Sequence, residues 1–363
     1  MPEGALPFAD YVRLSPDELD RRIAAARAGL GDELLILCHH YQQDDVHKFA
    51  DLTGDSFRLA RLAAERPDAR WIVFCGVHFM AESADVLTGP DQTVLLPDLA
   101  AGCSMADMAD LASVETAWAE LEELGLAADV MPVTYMNSAA SLKAFCGERG
   151  GIVCTSTNAE AVLRWSFARK GRVLFFPDQH LGRNTGRRMA IPLERMALWD
   201  PEQEWGGNDP AALRGARLLL WKGHCSVHQI FQPQHVDWWR AEKPGVRVLV
   251  HPECRMEVVD KADLVGSTEF IIRTVEGAEP GSAWAVGTEV HLVNRLRDRH
   301  PDREVHFLSP TVCLCSTMYR IDPQHLCWTL ENLRAGHVVN PIRVPDETAA
   351  WARVALRRML EVR

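Results

Sequence analysis

Short runs rich in Val, Ile and Leu punctuate the chain: ELLILC (33–38), RWIVFC (70–75), TVLLP (93–97), DVMPVTYM (129–136), GGIVC (150–154), RVLFFP (172–177), ARLLLW (216–221), VRVLVHP (246–252), AWAVG (283–287) and VHFLSP (305–310). These runs are nearly continuous in apolar character, so they predict strands buried on both faces, as in parallel sheets covered by helices. Between them, VHFMAESADVL (77–87), NAEAVLRWSFA (158–168) and TEVHLVNRLRD (288–298) carry apolar residues near helical spacing and predict helices. The expected fold class is α/β throughout.

The strand ends repeat. HHYQQDD (39–45), YMNSAAS (135–141) and HPECRME (251–257) open each third of the chain. Small polar turns, CGVHFMAE (75–82), CTSTNAEA (154–161) and VGTEVHL (286–292), then precede helices. LLPDLAAGC (95–103), LLLWKGHC (218–225) and FLSPTVCLC (307–315) each run from a strand to a cysteine. The pattern predicts three similar three-layer α/β/α domains with parallel sheets, at 1–115, 116–238 and 239–363. Residues 181–214, rich in Gly, Arg, Pro and Asn, are expected to be a long excursion from the second domain, and the C-terminal helix to pack back on the first. Ligands of open parallel sheets bind beyond the carboxyl ends of the strands, where helix N-termini present N–H groups. Three such rims are expected to face one central cavity.

Charge narrows the function. With 39 Lys and Arg against 50 Asp and Glu, the 363-residue chain carries a formal net charge of −11, which argues against a nucleic-acid-binding surface and requires any anionic ligand to be met locally. No stretch approaches the 18 or more apolar residues of a membrane span, and the start lacks a basic segment followed by an apolar core, so a soluble cytoplasmic protein is expected. The 10 cysteines are spread without the dense spacing of a secreted disulfide framework, and most are expected to be thiols. There is no GxGxxG after the first strand, no GxxxxGK[ST], no HExxH and no CxxC, so Rossmann, P-loop, zincin and thioredoxin readings lack their motifs.

Three cysteines delivered from equivalent strand ends, Cys103, Cys225 and Cys315, suit one metal centre. Either an iron–sulfur cluster with one iron open to substrate or a zinc ion with three thiolates and water is compatible. The polar residues have the same placement: His39 and Tyr41, Tyr135 and Asn137, His251 and Glu253 all follow apolar strands, and His228 lies one helical turn beyond Cys225. Glu253 suits a general acid or base, although a helix N-terminal Glu favoured by the dipole is the plainer reading. Ser56, Ser156, Ser267 and Thr268 lie in hydroxyl-rich turns before helices, where N-capping is the plain reading and anion holding the functional one.

These segments resemble the quinolinate synthase family. The resemblance rests on H-H-Y-Q (39–42), A-D-L-T-G-D-S (50–56), F-C-G-V-H-F-M-A-E (74–82), L-L-P-D-L-A-A-G-C-S-M-A-D-M (95–108), Y-M-N-S (135–138), C-T-S-T-N-A (154–159), F-P-D-Q-H-L-G (176–182), G-H-C-S-V-H (223–228), H-P-E-C (251–254), A-D-L-V-G-S-T (262–268), G-T-E (287–289) and C-S-T-M (315–318), in family order. It implies three α/β/α domains about a pseudo-threefold axis and a [4Fe–4S] cluster held by Cys103, Cys225 and Cys315. Cys313 competes for the third place, which rests on register with Met318. The implied reaction condenses iminoaspartate with dihydroxyacetone phosphate to quinolinate in NAD biosynthesis, releasing phosphate and two waters. By the same resemblance, Glu253, His251, Tyr41 and Tyr135 match proton-transfer positions. His39, Ser56, Tyr135, Asn137, Ser156, His228, His251, Ser267 and Thr268 match substrate-binding positions. Cys254 is expected to be a wall thiol, and an aspartate oxidase or dehydrogenase to supply the imine.

Overall fold

The computed structural model describes residues 2–362. Three parallel sheets carry the chain, flanked by helices. The first contains β1 (Leu34–His39), β2 (Leu52–Gly54), β3 (Trp71–Cys75) and β4 (Thr93–Leu95), in the order β2-β1-β3-β4. The second contains β5 (Val130–Tyr135), β6 (Ile152–Cys154), β7 (Arg172–Phe176), β8 (Met196–Trp199) and β9 (Leu218–Trp221), in the order β6-β5-β7-β9-β8. The third contains β10 (Arg247–Val250), β11 (Leu264–Val265), β12 (Ala283–Gly287) and β13 (Glu304–Phe307), in the order β11-β10-β12-β13. Central strands such as Leu34–His39 and Val130–Tyr135 are buried at every position, which accounts for their unbroken apolar sequence.

Register makes the repeat quantitative. Cys38 pairs with Thr53 and Cys75, Thr134 with Val153 and Phe176, and Val250 with Val265 and Gly287. Those residues are therefore equivalent, and so are His39, Tyr135 and His251, then Tyr41, Asn137 and Glu253, then Ser56, Ser156 and Thr268. The helices obey the same count. The second strand of each sheet is followed by a 9-residue helix (Ser56–Ala64, Ala159–Phe167, Thr268–Glu276), and the third by a 10-residue helix (His78–Leu87, Gln179–Arg188, Val290–Arg299).

The 181–214 stretch is not a surface excursion. It contributes most of the helix Gln179–Arg188 and the edge strand β8, which pairs in parallel with β9 from Met196↔Leu218 to Trp199↔Trp221. One additional βα unit has widened the second sheet to five strands.

The chain packs as two compact units, 1–103 with 314–345, and 104–313 with 346–363. In the first, the helix Pro16–Leu30, capped by Ser15, lies against the helix Pro323–Arg334. There Glu331 pairs with Arg22 and accepts a 2.6 Å hydrogen bond from Tyr11. In the second, the C-terminal helix Asp346–Glu361 packs on the helix Ala140–Glu148 beside the second sheet, not on the first domain where the sequence reading put it. Gly147 makes the close approach possible, because a Cβ there would lie 2.0 Å from the carbonyl oxygen of Trp351. Arg358 then donates to the carbonyls of Gly147 and Gly151 at 3.1 and 2.7 Å. Among the described residues, no helix is long and apolar enough to cross a membrane.

Candidate active site

In the second unit, strand ends of two sheets bring together four of the sequence-predicted residues. Tyr135 ends β5, His251 and Glu253 follow β10, and His228 lies in the short helix Ser226–Gln229 after β9. All four are buried, with Glu253 only 3% exposed. Tyr135 Oη donates to Glu253 Oε1 at 2.5 Å, and His228 Nδ1 lies 2.9 Å from Glu253 Oε2. His251 Nδ1 is 3.9 Å from Oε1, and its ring stacks on that of His228 with centroids 4.5 Å apart. One carboxylate oxygen thus accepts from Tyr135 and the other lies against the His228 ring, which fixes the side chain and offsets the cost of burying its charge.

The charge states follow from that surrounding. Burial works to raise the Glu253 carboxyl, but the imidazoles of His251 and His228 and the hydrogen bonds from His228 and Tyr135 outweigh it and hold the group below the usual carboxylate range. Burial pushes His251 down to about 3, so its ring is neutral at neutral pH. Asp178, which the sequence reading left without a role, is fully buried and pushed well up by desolvation and then by the negative charge of Glu253. Its Oδ1 accepts from the Leu181 N–H at the start of the helix Gln179–Arg188, while its Oδ2 is buried without a hydrogen-bond partner. Burial thus works against the charge on Asp178, while the hydrogen bonds and imidazoles around Glu253 favour its charge, so the two carboxyls are pushed in opposite directions.

The hydroxyl turns divide into capping and non-capping positions. Asp55 and Ser267 accept from the N–H groups of Arg58 and Phe270, so for Ser267 the plain capping reading holds. Asn158 fixes the middle turn through the N–H and hydroxyl of Thr155 at 2.7 and 3.0 Å. Ser56, Ser156 and Thr268 occupy the register-equivalent place beside these caps, the first two half-buried and the third buried. Asn137 is half-buried beyond β5.

In the first unit, His39 is buried and Tyr41 half-buried, with ring centroids 4.9 Å apart. The turn they share is that of Glu253 repeated. Tyr41 N–H donates to His39 Nδ1 at 3.2 Å and Gln42 N–H to His39 O at 3.0 Å, as Glu253 N–H does to His251 Nδ1 at 3.4 Å and Cys254 N–H to His251 O at 3.0 Å.

The cysteines sort by burial. Cys38, Cys75, Cys146, Cys154, Cys254 and Cys327 are buried, and desolvation raises the thiols of Cys75, Cys146, Cys154, Cys254 and Cys327. Cys103, Cys225, Cys313 and Cys315 are half-buried. The expected ligands are thus in the more accessible class, although burial does not separate Cys315 from Cys313. Cys225 Sγ, a His228 nitrogen and a Glu253 oxygen lie within 4.8 Å of one another, which places a potential metal ligand beside the carboxylate. Ligands of one zinc stand about 3.3 Å apart by tetrahedral geometry. His228 and Glu253 make a close 2.9 Å ion-pair contact beside that thiol, shorter than this ligand spacing.

The comparisons with known proteins give the family. The sequence matches the family described as Quinolinate synthetase A protein over residues 21–361. A quinolinate synthase of Rhodopirellula baltica is 59% identical over 368 residues, covering 98% of this chain and 94% of its own length. One of Nocardioides sp. is 60% identical over 364 residues, with 98% and 91% covered. One of Halalkalibacterium halodurans is 53% identical over 351 residues, with 97% and 95% covered. With similarity of this depth running nearly from end to end, and the buried Tyr135–Glu253–His228 assembly in its second unit, the chain belongs to the quinolinate synthase family.

Proposed function

We propose that this protein condenses iminoaspartate with dihydroxyacetone phosphate to quinolinate in NAD biosynthesis, releasing one phosphate and two waters. The atoms balance without an oxidant, so the protein's task is to move protons and hold anions. The observation that carries the reading is the Glu253 carboxylate, buried between Tyr135 Oη and the imidazoles of His228 and His251 in a family member.

Glu253, kept ionised, accepts a proton from substrate carbon, and Tyr135 Oη, its hydrogen-bond donor, and His228 Nδ1, 2.9 Å from it, return protons to leaving oxygens. Neutral His251 donates or accepts without the penalty of a second buried charge. Tyr41, register-equivalent to Asn137 and Glu253, takes a further proton-transfer role. His39, Tyr135, Asn137, His228, His251, Ser56, Ser156, Ser267 and Thr268 hold the carboxylates and phosphate. This gives an acidic chain of net charge −11 its anion sites through neutral donors.

Cys103, Cys225 and Cys315 hold a [4Fe–4S] cluster in this reading, supported by their half-burial and the closeness of Cys225 to Glu253. When bound, such a cluster supplies a Lewis-acid iron that polarises a substrate oxygen. The reading retains three α/β/α domains, near 1–115, 116–238 and 239–363, and a cytoplasmic enzyme fed by an aspartate oxidase or dehydrogenase. The test is to incubate the anaerobically prepared protein with both substrates and quantify products. Quinolinate and phosphate in equal amounts are expected; phosphate release without quinolinate refutes the proposal.

A further inference from the structure

The helix Gln179–Arg188 is polar in sequence, yet it buries His180, Leu181, Gly182, Asn184, Thr185 and Gly186. Gly182 and Gly186 set it tight on the second sheet: a Cβ on Gly182 would lie 2.5 Å from Leu220 Cδ2, and one on Gly186 2.8 Å from Met196 Cε. Those two glycines are one turn apart on the same side. Asn184, midway between them at 100° per residue, points to the opposite side. There its Nδ2 donates to the carbonyl oxygens of Pro252 at 2.9 Å and Cys254 at 2.8 Å. One buried amide thus grips the peptide immediately before Glu253 and the one just beyond Cys254.

An apolar side chain of the same size would remove both donors from the Pro252 and Cys254 carbonyls, whereas the amide meets them at the cost of an Oδ1 that is buried without a partner. Retaining an amide there costs stability unless its donors are needed. The corresponding sixth positions of the two other ten-residue helices, Ser83 and Arg295, are also polar and buried, at 0% and 6% exposure against 5% for Asn184. The place is therefore built to carry a polar group in all three repeats.

We infer that Asn184 is a positioning residue for Glu253, holding the 252–254 turn so that the carboxylate meets Tyr135 and His228. The inference rests on the proton-transfer role given to Glu253 above. Loss of the clamp lets the turn relax by a fraction of an ångström to an ångström, a displacement that lowers turnover by about 10- to 100-fold in preorganised sites.

The test is a double-mutant cycle on the anaerobic holoenzyme. Asn184→Leu, close in shape but without donors, is expected to lower kcat by about 10- to 100-fold with KM and iron content little changed. In a Glu253→Gln background the same change is expected to lower kcat less than about twofold, because its target has gone. A merely structural role would lower kcat by the same factor in both backgrounds, and that result overturns the inference while leaving the proposed function standing. Undiminished turnover in Glu253→Gln itself overturns the reading beneath and the inference with it. If Asn184→Leu fails to accumulate, Asn184→Ser, too short to span both carbonyls, carries the same cycle with the same two outcomes.

Discussion

Replacing Glu253 by Gln changes one atom and tests the acid–base assembly with little disturbance of shape. The carboxylate accepts from Tyr135 Oη at 2.5 Å and faces His228 Nδ1 at 2.9 Å. The amide oxygen can keep one of these bonds, while the amide N–H group faces the other partner and requires His228 to take the tautomer that accepts at Nδ1. That exchange costs about 1–2 kcal/mol of stability, the difference between charge-assisted and neutral hydrogen bonds. Removal of the general base costs about 10²- to 10⁴-fold in kcat, or about 3–5 kcal/mol of transition-state free energy. Anaerobic steady-state kinetics with iron and sulfide counts on the same preparation separate the two effects. The expected variant has wild-type cluster content, a KM within about threefold, and kcat lowered by at least about 100-fold. Turnover within a few-fold of wild type, or loss of the cluster together with turnover, would refute the reasoning.

Three further outcomes are expected. Cys225→Ser should lose iron, sulfide and activity together, and a full visible spectrum of the cluster in that variant would remove Cys225 from the ligand set. Gly147→Ala should be destabilised by about 1–2 kcal/mol, since overpacking against the Trp351 carbonyl at 2.0 Å outweighs the helix propensity gained; an unchanged melting temperature would contradict the packing described. His251 is held down to about 3 by burial, against 6.5 for a free imidazole, so below about 6.5 the unfolded chain takes up a proton that the folded protein does not. Stability should therefore fall as pH drops from 6.5 towards 3, by up to about 5 kcal/mol in all. Denaturant unfolding at pH 7 and pH 5 should show a smaller loss in His251→Asn than in wild type, and equal losses would contradict the assignment.

The parallel sheets were legible in the sequence because their central strands are buried on both faces and read as unbroken apolar runs. The strands missed, β2, β8 and β11, have between two and four residues and include Thr, Gly or half-buried positions, too little for any hydrophobic period to register. The reading of 181–214 as an excursion failed for the same reason: its helix is polar and packs through glycines rather than an apolar stripe. His228, His251, Tyr135 and Glu253 could be picked out as polar residues at strand ends, where a ligand site is expected. Asp178 and Asn184 could not. The first lies in a quoted motif, but its significance comes from desolvation beside Glu253, and the second acts on carbonyls 68 and 70 residues away in the sequence. Nor does the pattern of apolar residues reveal where a terminal helix docks, which is decided here by a glycine at position 147.

The most direct measurement of the central claim is an iron and sulfide count on anaerobically purified protein, followed on the same sample by an assay for quinolinate from iminoaspartate and dihydroxyacetone phosphate. About four irons and four sulfides per chain with quinolinate formed is the predicted result. Stoichiometric zinc without sulfide, and no quinolinate from verified substrates, would contradict it.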